Sequence, residues 1–245
     1  MNRLLEVCVD CLASARAAIA GGADRLELCS ALAIGGLTPY TTLLEQIREE
    51  SSIPVRCLMR PRAGDFCYSP EEIDLMARQI RTLRAAGADG FVIGCLTPEG
   101  DLDGSAMAPL LEAAKGAGLT LHRCVDVSRD PLKTCLDAAG LGIDTVLTSG
   151  AAGSCKRGMD TIRRMLELNG PEILIGAGVN AGVIEAFLRE LPQARAFHMS
   201  GKRDIPSAMV FRREGVPMGI PGFDEWHFQQ TDETAVKEAK AALAR

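Results

Sequence analysis

The stretch GGADRLELC, residues 21–29, joins a glycine-rich helix end to a short run of alternating apolar and polar residues. Nearly the same phrase, GADGFVIG, recurs at residues 87–94, and a related one, GLGIDTVLTS, follows at residues 140–149. Helices commonly end at glycine, because it adopts the left-handed conformation without steric cost. The recurrence therefore indicates repeats of one unit, in which a helix is followed by a tight turn and a strand.

The same alternation of strand and helix extends from these phrases over the whole chain. Eight short apolar strands alternate with eight amphipathic helices, which favours a parallel sheet with right-handed crossovers. The length of 245 residues suits a (β/α)8 barrel. We expect an α/β fold, a single TIM-type barrel domain over residues 1–245, with a doubly wound open sheet as the alternative. The predicted strands are 4–8, 25–29, 55–59, 91–94, 120–124, 145–148, 173–176 and 196–200, and the predicted helices are 12–20, 41–50, one opening at 69–72, 105–117, one after 131, 159–168, 180–191 and 233–244.

Composition narrows the class of protein. The formal net charge of −5 gives no reason to expect nucleic acid or an anionic membrane as a partner. The nine cysteines are odd in number and scattered, unlike a disulfide framework, and the charged N-terminal region does not resemble a signal peptide. No apolar run approaches the roughly 18 residues needed to span a membrane. We therefore expect a cytoplasmic protein with free thiols.

One segment, residues 201–232, interrupts the alternation of strands and helices and is predicted to be a long loop before the last helix. A loop of this length in a compact domain is usually functional or disordered. We expect it to lie over the barrel mouth or in a subunit contact of a homo-oligomer; a surface excursion without function is the alternative. Its apolar residues should be covered by the barrel or by a partner subunit. They are Met209, Val210, Phe211, Val216, Met218, Ile220, Phe223, Trp226 and Phe228.

Side-chain alternation along the strands predicts an unusually polar barrel interior. The residues expected to point inward or to the mouth are Glu6, Cys8, Glu27, Cys29, Arg56, Arg60, His122, Cys124, Asp126, His198 and Ser200. Buried charges are costly unless they are paired. One interpretation is a structural network in which Glu6 and Glu27 neutralise Arg60 and Arg56. The other is a polar site for a small ligand, in which His122 and the carboxylates transfer protons.

Two further patterns bear on ligands. Cys8 and Cys29 end neighbouring strands on the inward side, so that their thiolates could bind Cu(I), with Met199 or Cys124 as further ligands; small core-filling residues are the alternative. After strand seven, the glycine-rich turn at 176–180 could bind an anion through its backbone amides, and Ser200 adds a donor. The candidate anion-binding residues are thus Gly176, Gly178 and Ser200. No P-loop is present, and we expect no organic cofactor.

The chain resembles the CutC copper-homeostasis family. The matching phrases are LEVCVD at 5–10, GGADRLELCS at 21–30, GLTP at 36–39, MRPRAGDFCYS at 59–69, HR at 122–123 with Asp126, and LTSG at 147–150. One departure is HRCVD at 122–126, where the family usually has HRAFD. It concerns packing at the mouth more than the charged groups.

The resemblance implies a (β/α)8 barrel, a cytoplasmic location, oligomeric assembly and a role in copper handling. The family's proposed copper ligands fall on Cys8 and Cys29. Its suspected active-site cluster falls on Glu6, Glu27, Arg60, Arg62, Asp65, His122, Arg123, Asp126 and His198. Two functions stay open at this point: copper homeostasis with bound Cu(I), and an enzyme that acts on a small anionic, sugar-like or phosphorylated metabolite by acid–base chemistry. A purely structural protein would instead have a fully paired mouth.

Overall fold

Eight parallel strands close into a barrel in which each strand pairs with its neighbours in chain order and β8 pairs with β1. The computed structural model describes residues 3–216, 218–219, 222 and 224–244. The predicted TIM-type barrel is therefore confirmed. The barrel strands are β1 Leu4–Val9, β2 Arg25–Leu28, β3 Val55–Leu58, β4 Gly90–Ile93, β5 Gly118–Leu121, β6 Thr145–Thr148, β7 Glu172–Ile175 and β8 Ala196–Met199.

Helices follow the barrel strands and cover the outside of the barrel. Most begin at a polar side chain that accepts a hydrogen bond from the first turn. Ser69 forms a full capping box with Glu72, and Asn180 caps the helix after β7. The helices are α1 Leu12–Ala20, α2 Thr41–Glu50, α3 Pro70–Ala85, α4 Gly104–Ala113, α5 Pro131–Gly140, α6 Met159–Leu166, α7 Ala181–Glu190 and α8 Glu233–Leu243.

The register between strands determines which side chains share a height in the barrel. In the pairing of β1 with β8, Glu6 lies beside His198. In the pairing of β1 with β2, Cys8 lies beside Glu27. Because these residues alternate with buried Leu5, Val7 and Leu26, they point into the barrel. Two carboxyls, a thiol and an imidazole are thereby gathered on one side of the interior.

Arg56 belongs to a second group of polar residues, which lies at the N-terminal end of the barrel. Arg56, near the start of β3, donates to Thr120 at 2.7 Å, to Thr145 at 3.1 Å and to Asp144 at 2.8 Å. This group closes the N-terminal end of the barrel. The expected pairing of Glu27 and Glu6 with Arg56 and Arg60 does not form, because Glu6 binds Arg25 and His198 instead. Arg56 is occupied by Asp144 and two threonines, and Arg60 by backbone carbonyl oxygens.

Two local structures differ from the sequence prediction. Strand five ends at Leu121, because the Nδ1 atom of His122 accepts a hydrogen bond from the amide of Cys124 and starts a 3-10 helix, Arg123–Val127. The predicted long loop contains an antiparallel ribbon of two strands, β9 Lys202–Pro206 and β10 His227–Thr231. Across the described part of the chain, we find no helix with the length and apolar character that crossing a membrane requires.

Candidate functional site

A buried carboxylate, Glu6, organises one side of the barrel interior. Its Oε1 lies 2.8 Å from Nδ1 of His198, and its Oε2 accepts a hydrogen bond from Nε of Arg25. Burial alone would raise the pKa of Glu6, but the hydrogen bonds and charges of His198 and Arg25 outweigh it and lower the pKa to about 2. Glu6 is therefore ionised at neutral pH and holds the imidazole ring in place.

A second group surrounds the other face of the same imidazole. One ligand atom each from Cys8, Glu27 and His198 lie within 4.8 Å of one another. Nε2 of His198 is 3.8 Å from Oε2 of Glu27. Because Nδ1 is engaged by Glu6, the ring presents Nε2 to the thiol and to the second carboxyl. The three groups have the composition and spacing of a metal site.

The protonation states of this group depend on one another. Burial raises the pKa of Glu27 to about 7, and the negative charge of Glu6 adds to the effect against the opposing charges of His198 and Arg25. Burial would lower the pKa of His198, but Cys8, Glu27 and Glu6 raise it well above its ordinary value. The resting site thus holds an imidazolium beside one ionised carboxylate and one carboxyl that titrates near neutrality.

Cys29 lies next to this group in a more enclosed position. Its Sγ is 3.5 Å from the carbonyl oxygen of Val9, and the side chain packs with Leu58 and Val92 inside the barrel. Burial and the neighbouring Cys8 and Glu27 raise the pKa of the Cys29 thiol well above its ordinary value. The two cysteines suggested as copper ligands therefore differ: Cys8 lines the open mouth, and Cys29 does not.

Across the barrel, β3 to β5 contribute a different set of groups. Arg60 donates to the carbonyl oxygens of Ile34, Gly36 and Gly64 at 3.0–3.2 Å. The ring of Phe66 contacts both His122 and Arg60. The centroid of the Phe66 ring is 4.7 Å from that of the His122 ring and 5.4 Å from Cζ of Arg60. Burial, with a further effect of Arg60, lowers the pKa of His122 to about 3. His122 is thus neutral and unsuited to act as a general base near pH 7.

The remaining charged residues suggested by the resemblance shape loops at the mouth. Arg62 forms ion pairs with Asp65 and Glu72 and thereby ties the loop after β3 to α3. Asp126 accepts from the hydroxyl of Thr148 at 2.6 Å and from both the amide and the hydroxyl of Ser149, and it pairs with Arg123. With so many protein partners, Asp126 fixes the end of β6.

A cleft of about 1220 Å3 opens at the C-terminal end of the barrel. Cys8 and His198 lie at its floor. Gly178, in the turn after β7, and Ser200, directly after β8, form part of its wall. Gly176 lies just below this turn, where its amide bonds to Thr148. Ala177 and Gly178 both have positive φ angles, 71° and 81°. Among the described residues, the amides of Ala177 and Gly178 donate to no protein acceptor, so that they are available to a ligand.

The β9–β10 ribbon forms another wall of this cleft, through residues such as Asp204, His227 and Gln229. Beyond the strands, the described residues between 207 and 226, here called the ribbon tip, carry exposed apolar side chains, so that the barrel does not cover these. The expected cover by a partner subunit stays a prediction. Ile220 and Phe223 lie outside the described residues. The exposed side chains are Met209, Val210, Phe211, Val216, Met218 and, on β10, Phe228.

Sequence reasoning missed Arg25, which provides the cation for Glu6. The signal was present, since the alternation that places Glu27 and Cys29 inward also places Arg25 inward. Cys11 has a local role: its sulfur caps α1 by accepting a hydrogen bond from the amide of Ser14. The two further suggested copper ligands, Met199 and Cys124, are buried in the apolar core, and Met199 also lines the cleft.

Fold and site together define a (β/α)8-barrel protein with a thiol, an imidazole and two carboxyls at the carboxyl ends of its first, second and eighth strands. A sequence model of the CutC family matches residues 3–203. The chain belongs to the CutC family.

Individual relatives agree with this assignment. A CutC family protein of Vibrio campbellii is 40% identical over 247 residues, covering 99% of this chain and 100% of the relative. One from Xanthomonas campestris is 45% identical over 203 residues, covering 82% and 84%. A crystal structure described as a candidate copper homeostasis protein CutC, from Streptococcus agalactiae, is 28% identical with a TM-score of 0.76 and covers 81% of this chain and 98% of its own.

Proposed function

We propose that this protein takes part in cytoplasmic copper homeostasis by binding Cu(I) at the mouth of its barrel. Cys8 and His198 are the primary ligands, and Cys29 is a third donor that loses its proton when the metal binds. Cu(I) prefers thiolate and imidazole over carboxylate ligands. All nine cysteines are free thiols, as a reducing compartment requires.

The observation that carries the proposal is the orientation of His198. Metal-binding histidines almost always donate the second ring N–H to a carboxylate or carbonyl, which fixes the ring and raises its basicity. Glu6 has this position relative to Nδ1, while Nε2 faces Cys8 and Glu27. The chain therefore has both a donor set and the outer carboxylate that orients it.

Anaerobic titration with Cu(I) against a competing chromophoric chelator tests the proposal. We expect Cys8→Ser and His198→Asn to lower the affinity by about tenfold or more, and the Cys8→Ser/Cys29→Ser double variant to lower it further. Cys11→Ser is the matched control, because serine preserves the cap of α1 and Cys11 lies outside the cluster. Unchanged affinity in the double variant would remove the assignment, and tighter binding of Zn(II) than of Cu(I) would assign the site to another metal.

We also propose that the ribbon tip forms a contact between copies of this chain. Its described apolar side chains are carried by the segment that joins β9 to β10 and are exposed in the single chain. Several large apolar side chains exposed within one short segment are typical of an interaction site. A homo-oligomer would bury it.

A second candidate is an enzyme that acts on a small anionic metabolite by acid–base chemistry. It is favoured by the two carboxyls on neighbouring strands, whose pKa values are about 2 for Glu6 and about 7 for Glu27. Environments that separate such a pair provide one permanent charge and one proton donor. The free amides at Ala177 and Gly178, with Ser200 and Arg123 at the same cleft, would hold the anion. A thermal-shift screen of sugar phosphates and carboxylates tests for binding of such a ligand. A Glu27→Gln variant should bind the same ligand without converting it to product.

A further inference from the structure

Two buried nitrogen donors on the β3–β5 side of the described barrel have no partner, and neither has the hydroxyl of the nearby Tyr68. Among the described residues, neither Nε of Arg60 nor Nε2 of His122 has a hydrogen-bond acceptor within reach. The side chains are 8% and 4% exposed. Leaving a buried polar group unpaired costs free energy, and native proteins do so rarely and usually where a ligand or water binds.

Both groups must donate. The guanidinium of Arg60 has no acceptor atom. Nδ1 of His122 accepts from the amide of Cys124 at 3.2 Å, so that the proton of the neutral ring is on Nε2. A ligand that binds Nε–H of Arg60 and Nε2–H of His122 therefore has to bring one acceptor atom to each of them.

Charge balance narrows the ligand further. The other donors of Arg60 all bind backbone carbonyl oxygens, and no carboxylate of the described residues forms an ion pair with it. One buried positive charge is thus without a counter-charge, which is unfavourable inside a protein. A ligand with a single negative charge balances Arg60, whereas a second negative charge would remain unpaired.

The packing around the two donors is close. Gly94, at the end of β4, lies between the two donors' strands, and a Cβ there would come within 2.6 Å of Cε1 of His122. Phe66 contacts both Arg60 and His122 with its ring. Its side chain is only half buried, so that this ring is the group that a ligand would displace to reach the two donors.

We propose that Arg60 and His122 form a binding site for a single carboxylate group of a small metabolite, covered by the ring of Phe66. Nε–H of Arg60 and Nε2–H of His122 each donate to one carboxylate oxygen, and the charge of the ligand neutralises Arg60. Phe66 is the lid. The site is separate from the Cys8–His198 cluster and does not depend on copper binding.

The test uses the full-length protein with sodium acetate, sodium malonate and inorganic phosphate as probes, at constant ionic strength. Binding is followed by calorimetry and by the 15N–1H signals of the Arg60 Nε–H and His122 Nε2–H groups. We expect acetate to shift both signals and to bind more tightly than the two dianions.

Substitutions of the two donor residues distinguish binding at this site from nonspecific binding of anions. Arg60→Met and His122→Phe each remove one donor and should weaken acetate binding by about tenfold or more. Arg78→Met is the control, since Arg78 is exposed on α3 and pairs with Asp74, and it should leave acetate binding unchanged. If Arg60→Met does not fold, Phe66→Ala keeps both donors and should bind acetate faster and at least as tightly.

Acetate binding that is unaffected in His122→Phe, or that leaves both N–H signals unshifted, would overturn the proposal. So would a high-resolution crystal structure grown in acetate that shows only a water molecule between the two donors. Tighter binding of phosphate than of acetate would overturn the assignment to a carboxylate. None of these results would bear on Cu(I) binding at Cys8.

Discussion

Nδ1 of His198 lies 2.8 Å from Oε1 of Glu6, and the two side chains are buried against each other on neighbouring strands. This contact fixes which ring nitrogen faces the mouth. It also places a permanent negative charge behind the imidazole, so that the ring is protonated at rest and returns to the same orientation after it loses its proton.

Substitution of Glu6 by glutamine tests this contact. Glu6→Gln leaves His198 and Arg25 without their anionic partner, and breaking such a buried network typically costs about 3–5 kcal/mol. We expect a comparable decrease in the free energy of unfolding, measured with urea, and a Cu(I) affinity lower by about tenfold to hundredfold. Glu50→Gln, which breaks an exposed ion pair with Arg16, is the control. Full Cu(I) affinity in Glu6→Gln would give Glu6 a structural role only.

The raised pKa of Glu27 predicts a loss of stability as the pH rises. Its pKa is about 7 in the folded protein, whereas that of a glutamate free of such surroundings is near 4.5. The folded state therefore holds a proton that the unfolded state has released, and this contribution is complete below pH 4.5 and disappears as the pH rises through 7. We expect Glu27→Gln to abolish this decline, which is on the order of 3 kcal/mol for wild type, in urea titrations between pH 4.5 and 8. An equal decline in both proteins would contradict it.

Copper binding should depend on pH in the opposite direction. The pKa of His198 is raised well above its ordinary value, so that Cu(I) must displace a proton from the ring. We expect the apparent affinity to increase by about tenfold per pH unit for each proton displaced, in competition titrations from pH 6 to 8. The slope should be smaller in His198→Asn. An affinity independent of pH would place the metal away from His198.

Gly94 should tolerate no side chain. The Cβ of Gly94→Ala would lie 2.5 Å from Sγ of Cys124 and 2.6 Å from Cε1 of His122, and such overpacking typically costs about 1–3 kcal/mol. Gly104→Ala, in the first turn of α4 with no atom within 4 Å of the new Cβ, should be neutral or stabilising by up to about 1 kcal/mol. Thermal unfolding of the pair measures the contrast, and equal melting temperatures would contradict it.

Removal of the ribbon tip tests the proposed subunit contact. The amide of Ser207 bonds to the carbonyl oxygen of Trp226 at 2.7 Å, so that an Asn-Gly turn can replace residues 208–225 without breaking β9 or β10. We expect light scattering to show a monomer with unchanged Cu(I) affinity. Val210→Ser/Phe211→Ser should weaken assembly in the same direction, whereas Leu136→Ser on α5 should not. A tip deletion that keeps the oligomer would refute the contact.

The sequence was sufficient for most of the architecture. The periodicity placed α2 at Thr41–Glu50 and β6 at Thr145–Thr148, as the structure has them. It failed after Leu121, because a hydrogen bond from a backbone amide to the ring of His122, which no periodic pattern contains, starts a 3-10 turn.

The candidate site was predictable only in part. Alternation placed Glu6, Cys8 and Glu27 inside the barrel, but it gave no information on their partners. Partners depend on the register between strands, which brings His198 beside Glu6, and on height along a strand, which separates Arg56 from Arg60. A linear pattern specifies neither quantity.

The pairing of β1 with β8 has a consequence for how the site comes into being. The two residues of the Glu6–His198 contact are 192 positions apart, so that a chain still emerging from the ribosome has the glutamate and the thiol but lacks the imidazole. The site is complete only when the last barrel strand has been synthesised and has docked against the first. A ligand held there bridges the two strands that close the barrel, so that release of the ligand is coupled to any opening between β1 and β8.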